Sequence, residues 1–328
     1  MELLEVQDLK TYYKTLRGDV KAVDGVTFSV EQAKATGLAG ESGCGKTTVA
    51  TTVLRILPAA GRIAGGKILY KGLDLAKIDE EDMRENYRWK EISIVFQGAM
   101  NALNPVYKVS EQISEAITLH EPEVSRREAY ERGSKLFELV GIDPARIDHY
   151  PHEFSGGMRQ RAMIAMALAS NPSILIADEP ATALDVIVAA QVLKLLRELK
   201  TRLNLGMILI THDLSIIAEL CENCAIMYAG RIAEYGDVVT IFKDPLHPYT
   251  QGLIGAFPSI SAKERMRMVS IPGSPPDLLD PPNGCRFHPR CKYAMDVCKR
   301  VDPPYVEIDK GHFVACHLVS SIQEDKKS

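Results

Sequence analysis

The chain has 328 residues, of which 46% are apolar and 25% charged, and its formal net charge at pH 7 is −4. This length predicts one large domain or two smaller ones, and the slight acidity gives no global basic field for binding nucleic acid. Neither a long uncharged apolar run nor a secretory signal is visible, so we expect a cytoplasmic chain. Disulfides are rare in the cytoplasm, so the cysteines are expected to be buried thiols, metal ligands or redox groups.

The first elements predicted are strands. Alternating apolar positions predict two strands of an antiparallel sheet over residues 2–8 and 21–30. The apolar stretch 35–39 predicts a buried strand that leads into a glycine-rich loop. A helix is predicted from Lys46 to Leu57, where a proline follows, and another strand over residues 91–96.

The middle of the chain alternates helices with short apolar strands. Residues 109–140 are predicted to be helical with a polar break, after which Ser125 is a suitable N-cap. Further helices are predicted over residues 156–169 and 186–203. The fully apolar strands are predicted over residues 173–177 and 207–211, a pattern typical of a parallel sheet covered on both faces. A hairpin is predicted over residues 226–234, with Ala229-Gly230 at its turn.

The composition changes after about residue 245. Proline becomes frequent there, and four of the seven cysteines follow. We therefore predict a large first domain over residues 1–245 and a separate small C-terminal module over residues 246–328.

A glycine-rich loop, residues 40–47, fits the spacing G-x-x-x-x-G-K-[ST]. Its glycines allow backbone N–H groups to surround phosphates, and the helix that follows adds its positive N-terminal end. Lys46 is expected to reach the β- and γ-phosphates of ATP, and the Thr47 hydroxyl to bind Mg²⁺. The predicted ATP-binding residues of this phosphate loop and the next position are Gly40, Glu41, Ser42, Gly43, Cys44, Gly45, Lys46, Thr47 and Thr48.

Two carboxylates, Asp178 and Glu179, follow an apolar strand. A carboxylate at the C-terminal end of such a strand can hold the Mg²⁺ shell, which is the role expected of Asp178. Glu179 lies one residue further and is expected to face the water that attacks the γ-phosphate.

The segment Phe154-Ser155-Gly156-Gly157-Met158-Arg159-Gln160-Arg161 resembles the signature motif of ABC-type ATPases. The first residue of that motif is usually Leu and the fifth usually Gln, so Phe154 and Met158 depart from it, whereas Ser155, Gly156 and Gly157 are retained. The resemblance covers about residues 1–250. It implies an α/β fold, an ABC-type P-loop ATPase with a RecA-like core, an antiparallel β subdomain and a helical subdomain over about residues 98–165.

The same resemblance implies roles for further residues. Gln97 would contact Mg²⁺ and the attacking water, and His212 would touch the γ-phosphate, so that Glu179, His212, Gln97 and Lys46 form the catalytic set. Tyr13 would stack on adenine, with Tyr12 as the neighbouring alternative. Asp185 would contact a second subunit across a dimer.

The signature implies that the ATPase works as a pair. Ser155, Gly156 and Gly157 precede a helix and make a second anion-binding end. In the family this end faces ATP held by the phosphate loop of the other subunit, so two ATP molecules join two subunits until hydrolysis releases them.

The late cysteines are Cys285, Cys291, Cys298 and Cys316. Four thiols in a proline-rich tail of a cytoplasmic protein indicate a metal site, because a bound metal would stabilise a segment with few apolar residues. Zinc sites usually contain a Cys-x-x-Cys pair, which these spacings lack, whereas an iron–sulfur cluster has no such requirement. Zinc stays open as the alternative.

The tail also resembles that of the oligopeptide/dipeptide importer ATPases, through residues 247–253 and the segment Gly284-Cys285-Arg286-Phe287 with the three later cysteines. That resemblance implies a [4Fe–4S] cluster on the four thiolates, with His288 and His317 as fallback ligands. By contrast, Cys221 and Cys224 follow a helical stretch and are interpreted as core residues.

These observations favour a peripheral ATPase on the cytoplasmic face of the membrane that powers import of peptides or related solutes. This hypothesis predicts a second, related ATPase subunit, two transmembrane permeases and an extracytoplasmic solute-binding protein as partners, and no nucleic acid. The alternatives are an importer motor for sugars or nickel, a soluble ABC ATPase of DNA repair or translation, and a regulatory subunit that hydrolyses ATP poorly. The presence of Glu179 and His212 argues against the last.

Overall fold

The computed structural model describes residues 1–98, 102–256 and 271–320. The chain divides into two compact units. The helical unit comprises Met1–Leu3, Val30–Ala35 and Lys77–Ile210, and the strand-rich unit comprises Leu4–Ser29, Thr36–Ala76 and the described chain from Thr211 onward. Residues 257–270 and 321–328 of the predicted C-terminal module lie outside the described residues.

The elements follow in chain order. The strands are β1 (Glu2–Thr15), β2 (Gly18–Glu31), β3 (Ala35–Ala39), β4 (Gly61–Tyr70), β5 (Leu73–Asp74), β6 (Ile92–Val95), β7 (Ile174–Asp178), β8 (Gly206–Ile210), β9 (Asn223–Tyr228), β10 (Arg231–Asp237), β11 (Tyr305–Asp309) and β12 (His312–Ala315). The helices are α1 (Lys46–Val53), α2 (Glu80–Asp82), α3 (Val109–His120), α4 (Arg126–Leu139), α5 (Gly156–Ala167), α6 (Val186–Arg202), α7 (Leu214–Leu220), α8 (Val238–Lys243) and α9 (Pro248–Gly255). No described helix combines the length and the apolar character that crossing a membrane requires.

The helical unit contains three parallel strands in the order β6-β7-β8, whose residues are all buried. Such strands are apolar throughout because both of their faces are covered. Helices α3, α4 and α5 pack together beside them. The predicted cap is confirmed: the Ser125 hydroxyl accepts the backbone N–H of Glu128 at 3.2 Å, so α4 begins one residue later.

The strand-rich unit contains an antiparallel β-subdomain in the order β2-β1-β4-β5 and a second row of strands in the order β3-β9-β10-β12-β11. In the second row β3 runs parallel to β9, and the others pair antiparallel. The predicted hairpin is confirmed, with Tyr228 opposite Arg231. Its turn residues Ala229 and Gly230 both have positive φ, 48° and 83°, as a two-residue hairpin turn of the primed type requires.

The C-terminal segment is fixed to β10 by a buried carboxylate. Glu234 is wholly buried, and its two oxygens accept the backbone N–H groups of Leu246 and His247 at 2.9 and 3.0 Å. His312 Nε2 lies 2.8 Å from the same carboxylate, beside the pairing of β12 with β10. A buried carboxylate is tolerated because its oxygens receive these hydrogen bonds.

The helix predicted over residues 46–57 ends at Val53, not at the proline. Arg55 adopts a left-handed conformation, φ 54°, and donates its N–H to Thr52 O, while Ile56 donates its N–H to Thr51 O. This pair of bonds is a Schellman termination, which satisfies the last carbonyls of a helix. The prediction was wrong because such an ending usually requires glycine, and an arginine occupies the position here.

Candidate functional site

The phosphate loop joins β3 to α1 in the strand-rich unit and depends on two glycines. Gly40 has φ 148°, and a Cβ placed there would lie 2.1 Å from the carbonyl oxygen of Met227. Gly45 has φ 105°, and its Cβ would lie 2.2 Å from the carbonyl oxygen of Ala22. Any side chain at either position would collide with backbone, so the close fit of the loop requires glycine.

The Lys46 ammonium lies against the loop itself. Its Nζ donates to the carbonyl oxygens of Gly40 and Glu41 at 2.8 and 3.1 Å, and the residue is only 8% exposed. The hydroxyl-bearing neighbours Ser42 and Thr47 are exposed at the mouth of the loop. Burial raises the pKa of the Cys44 thiol, so this cysteine is a weak nucleophile within the loop.

The two tyrosines considered for adenine have different surroundings. Tyr13 donates from its hydroxyl to Thr48 Oγ1 at 3.4 Å, and its ring covers Gly61, where an added Cβ would lie 2.8 Å from the ring. Tyr12 instead donates to Asp24 at 2.7 Å, and burial, together with that bond, raises its pKa to about 12. Because Tyr12 is engaged away from α1, the geometry favours Tyr13.

His212 lies just beyond β8, at the start of the next stretch of the strand-rich unit. It is exposed, and the residues around it are held by local bonds. Thr211 accepts the N–H of Asp213 on its hydroxyl at 3.0 Å, and Asp213 caps α7 by accepting the N–H of Ser215 at 2.8 Å. The turn therefore presents the His212 ring to solvent.

In the helical unit, the acidic pair follows β7. Asp178 ends that strand and is 1% exposed. Glu179 adopts φ 51°, donates its N–H to Ile210 O at 2.9 Å and accepts the Thr182 hydroxyl on its carboxylate at 2.6 Å. A left-handed conformation at a residue other than glycine costs about 1–3 kcal/mol and is concentrated at functional sites. Gln97 follows β6 and is exposed.

The signature residues form the start of α5. Ser155 is exposed and caps the helix by accepting the N–H of Met158 at 3.3 Å. Gly157 packs on α6, where an added Cβ would lie 2.4 Å from Val188 Cγ1. Asp185 caps α6 through two N–H groups at 3.1 and 3.0 Å.

Beside Asp185, Val186 and Ile187 are 85% and 72% exposed. Two adjacent large apolar side chains in solvent at the start of a helix are typical of a contact surface. The exposed Ser155 and these two side chains belong to the same unit, which also holds Gln97, Asp178 and Glu179. The phosphate loop, Tyr13 and His212 belong to the strand-rich unit.

The four late cysteines line one small cavity of about 10 Å³, together with His288 and His317. All four are free thiols. Nevertheless, in the described parts of the chain no group of three or more histidine, cysteine or carboxylate side chains is already arranged as a metal-ion site. The structure therefore brings the predicted ligands together without showing a metal centre.

Local backbone bonds hold these cysteines near one another. Gly284 has φ 67°, and a Cβ there would lie 2.5 Å from the Cys298 carbonyl oxygen, so the glycine lets Cys285 donate its N–H to that carbonyl at 2.9 Å. Burial raises the pKa of Cys285 to about 11 and also raises those of Cys291 and Cys316. Cys221 and Cys224 are buried, as predicted for core residues.

Two residues of the C-terminal segment touch the phosphate loop and were not predicted from the sequence. Tyr249 accepts the N–H of Glu41 on its hydroxyl at 3.0 Å, and Arg290 donates to the Glu41 carboxylate at 2.6 and 2.9 Å. The only signal for Arg290 is its place next to Cys291 in the cysteine-rich segment.

Comparison with known proteins gives the family. Residues 23–182 match the ABC transporter family, and residues 233–298 match the family described as the oligopeptide/dipeptide transporter C-terminal region. The chain is 43% identical to the dipeptide transport ATP-binding protein DppD of Caldanaerobacter subterraneus subsp. tengcongensis, over 96% of this chain and 97% of the relative. It is 45% identical to the oligopeptide transport ATP-binding protein OppD of Escherichia coli, over 96% and 92%.

Solved structures agree on the fold. The ATP-binding cassette MJ0796, determined as a dimer in a post-hydrolysis state bound to ADP and phosphate, superposes with a TM-score of 0.63 at 22% identity, over 72% of this chain and 99% of that one. The cbiO1 protein of Clostridium perfringens, part of an ABC transporter complex, gives 0.63 at 27% identity, over 74% and 91%. The fold, the motifs and the nearly full-length similarity together show that this chain belongs to the ATP-binding proteins of ABC transporters, in the oligopeptide/dipeptide transporter family.

Proposed function

We propose that this chain is the ATPase subunit that powers an importer of di- or oligopeptides. The observation that carries the proposal is similarity to peptide-transport ATPases over nearly the whole chain, including a match to the oligopeptide/dipeptide transporter C-terminal region. The intact phosphate loop and the acidic pair supply the parts that hydrolysis needs.

Each residue has a chemical part in that hydrolysis. The loop amides and Lys46 bind the phosphates, and Tyr13 stacks on adenine. Thr47, Gln97 and Asp178 offer hydroxyl, amide and carboxylate oxygens, the hard ligands that Mg²⁺ prefers, and the ion neutralises charge on the phosphates. Glu179 orients and deprotonates the attacking water, and His212 donates to the γ-phosphate. The Thr182 hydroxyl, which donates to the Glu179 carboxylate at 2.6 Å, holds that carboxylate in place.

The working unit is a dimer with ATP between the subunits. Ser155, Gly156 and Gly157 contact the ATP held by the phosphate loop of the other subunit, and Asp185 contacts that subunit directly. The exposed Val186 and Ile187 support this assignment, because a partner at the start of α6 would remove them from water. We infer that the partner is a second, related ATPase.

The remaining partners supply what this chain does not. Two transmembrane permeases form the path for the peptide, and an extracytoplasmic binding protein selects it. The ATPase acts as a peripheral protein on the cytoplasmic face of the membrane. Hydrolysis separates the ATPase pair, and that movement is transmitted to the permeases.

An uptake assay tests the transported solute. In cells lacking the gene, the wild-type gene should restore uptake of a labelled di- or tripeptide, and the Glu179→Gln variant should not. Uptake of a labelled free amino acid serves as the control and should not change. Restoration of nickel or sugar uptake, with peptide uptake unaffected, would overturn the peptide assignment and leave the importer.

We further propose that Cys285, Cys291, Cys298 and Cys316 bind a [4Fe–4S] cluster. Four thiols that face one cavity are a suitable donor set, and their burial disfavours free thiolates unless a cation compensates the charge. Zinc is the alternative, and the absence of a Cys-x-x-Cys pair favours iron–sulfur. A bound centre would cross-link this proline-rich segment.

The metal content of the protein purified without oxygen tests this assignment. We expect iron and acid-labile sulfide in equal amounts, about four of each per chain, and their loss in the Cys291→Ser variant. Cys221→Ser, which changes a cysteine outside the cavity, is the matched control and should retain both. One zinc per chain in place of iron would favour the zinc alternative, and no metal in the wild type would contradict both.

A further inference from the structure

Glu41, the second residue of the phosphate loop, is bound at all three of its polar groups. Its N–H donates to the Tyr249 hydroxyl at 3.0 Å, and its carbonyl oxygen accepts from Lys46 Nζ at 3.1 Å. Its carboxylate accepts from both terminal nitrogens of Arg290 at 2.6 and 2.9 Å. The same residue thus connects the lysine expected to bind phosphate with the C-terminal segment.

Arg290 is itself held in place. Its Nε donates to the carbonyl oxygen of Pro272 at 2.7 Å, and its Nη1 lies 3.3 Å from the Tyr228 hydroxyl. The guanidinium also lies over the Tyr228 ring, 5.6 Å from the ring centre, and its side chain is only 6% exposed. A two-point arginine–carboxylate pair fixes direction as well as distance, and the burial of the guanidinium lessens screening of the pair by salt.

Three aromatic rings pack together next to the Arg290–Glu41 pair and connect the residues that contact each of its two members. Tyr228 packs on Tyr249 with ring centres 4.7 Å apart, and on Phe287 edge-to-face at 5.2 Å. Tyr249 binds the Glu41 amide, whereas Phe287 lies between Cys285 and Cys291 in the sequence. Tyr249, which binds Glu41, and Tyr228, which contacts Arg290, are therefore packed against Phe287 of the segment that contains the late cysteines.

A displacement of Glu41 would act directly on the nucleotide site. Lys46 rests on the carbonyl oxygens of Gly40 and Glu41, so the orientation of this peptide determines where the ammonium points. Misplacing a binding group by about 1 Å can cost roughly a hundredfold in rate. If the ion pair served folding alone, its loss would lower stability and leave nucleotide affinity unchanged.

We propose that Arg290 is a positioning residue for the nucleotide site, which holds the phosphate loop through Glu41 and couples ATP binding to the C-terminal cysteine segment. The proposal rests on the assignment of the phosphate loop as the ATP site. Coupling between two sites is reciprocal, so ATP must stabilise the cysteine segment by the same factor by which that segment strengthens ATP binding.

Binding of a fluorescent ATP analogue with Mg²⁺ tests whether Arg290 positions the nucleotide site. Arg290→Gln should weaken affinity about tenfold, within the roughly 5- to 150-fold range typical of coupling between two sites, and Arg290→Lys should restore part of it. The matched control is Arg132→Gln, which removes another two-point pair, to Glu121 at 2.6 and 2.8 Å, in the helical unit. It should lower the midpoint of thermal unfolding and leave nucleotide affinity unchanged.

Hydrogen exchange tests whether ATP binding stabilises the cysteine segment, and the measurement needs no turnover. In the wild type, the ATP analogue should slow amide exchange in residues 284–301, and in Arg290→Gln this protection should disappear. Glu41→Gln keeps the side-chain volume and breaks the same pair from the other side, so it should give both results even where Arg290→Gln folds poorly.

The outcomes separate this inference from the function on which it rests. Wild-type nucleotide affinity in both Arg290→Gln and Glu41→Gln, while Lys46→Ala binds the analogue more weakly, would overturn the coupling and leave the ATP site intact. Wild-type affinity in Lys46→Ala would overturn the ATP site itself.

Discussion

Glu179→Gln should reduce steady ATP hydrolysis about a thousandfold, the middle of the range for loss of a general base, while ATP still binds. The substitution keeps the size of the side chain and can keep the contact with the Thr182 hydroxyl, but an amide cannot take a proton from water. Because ATP then stays intact between the subunits, the paired state should accumulate. Phosphate release measures the first effect, and size-exclusion chromatography with and without ATP measures the second.

Glu198→Gln is the matched control for this variant. Glu198 is exposed on α6 and lies 3.9 Å from Lys194, so the same chemical change there should leave turnover unaffected. Normal hydrolysis by Glu179→Gln would contradict its role as the base. Lost hydrolysis without ATP-dependent pairing would instead contradict the dimer.

Lys46→Ala should weaken ATP affinity by roughly tenfold to a hundredfold, because it removes a charged donor to the phosphates. Hydrolysis and ATP-dependent pairing should both be lost, whereas Glu179→Gln loses only hydrolysis. Titration with a fluorescent ATP analogue in the presence of Mg²⁺ measures the affinity. Thermal unfolding measured in parallel shows whether the loop still folds when Lys46 no longer binds the Gly40 and Glu41 carbonyls.

The control for Lys46→Ala is Lys194→Ala, on the exposed face of α6. It removes the same charge from a solvated position and should change neither affinity nor turnover. If Lys46→Ala bound ATP as tightly as the wild type and Lys194→Ala do, the assignment of the phosphate loop would be wrong.

Local sequence patterns predicted those elements whose conformation is determined by residues close together in the chain. Strand β3 is five buried residues bounded by turn signals, and the hairpin turn is indicated by Gly230, which tolerates positive φ. Motif spacing likewise identified the residues of the phosphate loop, because its conformation depends on glycines a few residues apart.

Strand β4 shows why other elements could not be predicted. Its glycines, Gly61, Gly65 and Gly66, are typical of a loop, yet it is a strand of ten residues. Gly66 has φ 88°, and a Cβ there would lie 2.4 Å from the Asp8 carbonyl oxygen. The register of β1 shifts at this place, so the glycines accommodate a bulge in the neighbouring strand, which only the pairing reveals. The same irregularity explains why β1 continues to Thr15, beyond the strand predicted over residues 2–8.

Long-range pairs leave no pattern in the sequence at all. Glu41 and Arg290 are 249 residues apart, and neither periodicity nor spacing relates them. Each lies in a segment that the sequence identifies in another way: the phosphate loop by its motif spacing, and the tail by its cysteines. Their contact follows from how β10, α9 and the tail fold onto β9 and the loop, which is a property of the tertiary structure.

The most direct test of the importer function is the set of chains that bind the ATP-trapped protein. Tagged Glu179→Gln protein is expressed in its host, ATP is added, the membranes are dissolved in detergent, and the bound chains are identified by mass spectrometry. We predict two multi-spanning permeases and a second ABC ATPase. Recovery of ribosomal or DNA-repair components with no permease would contradict the transport function.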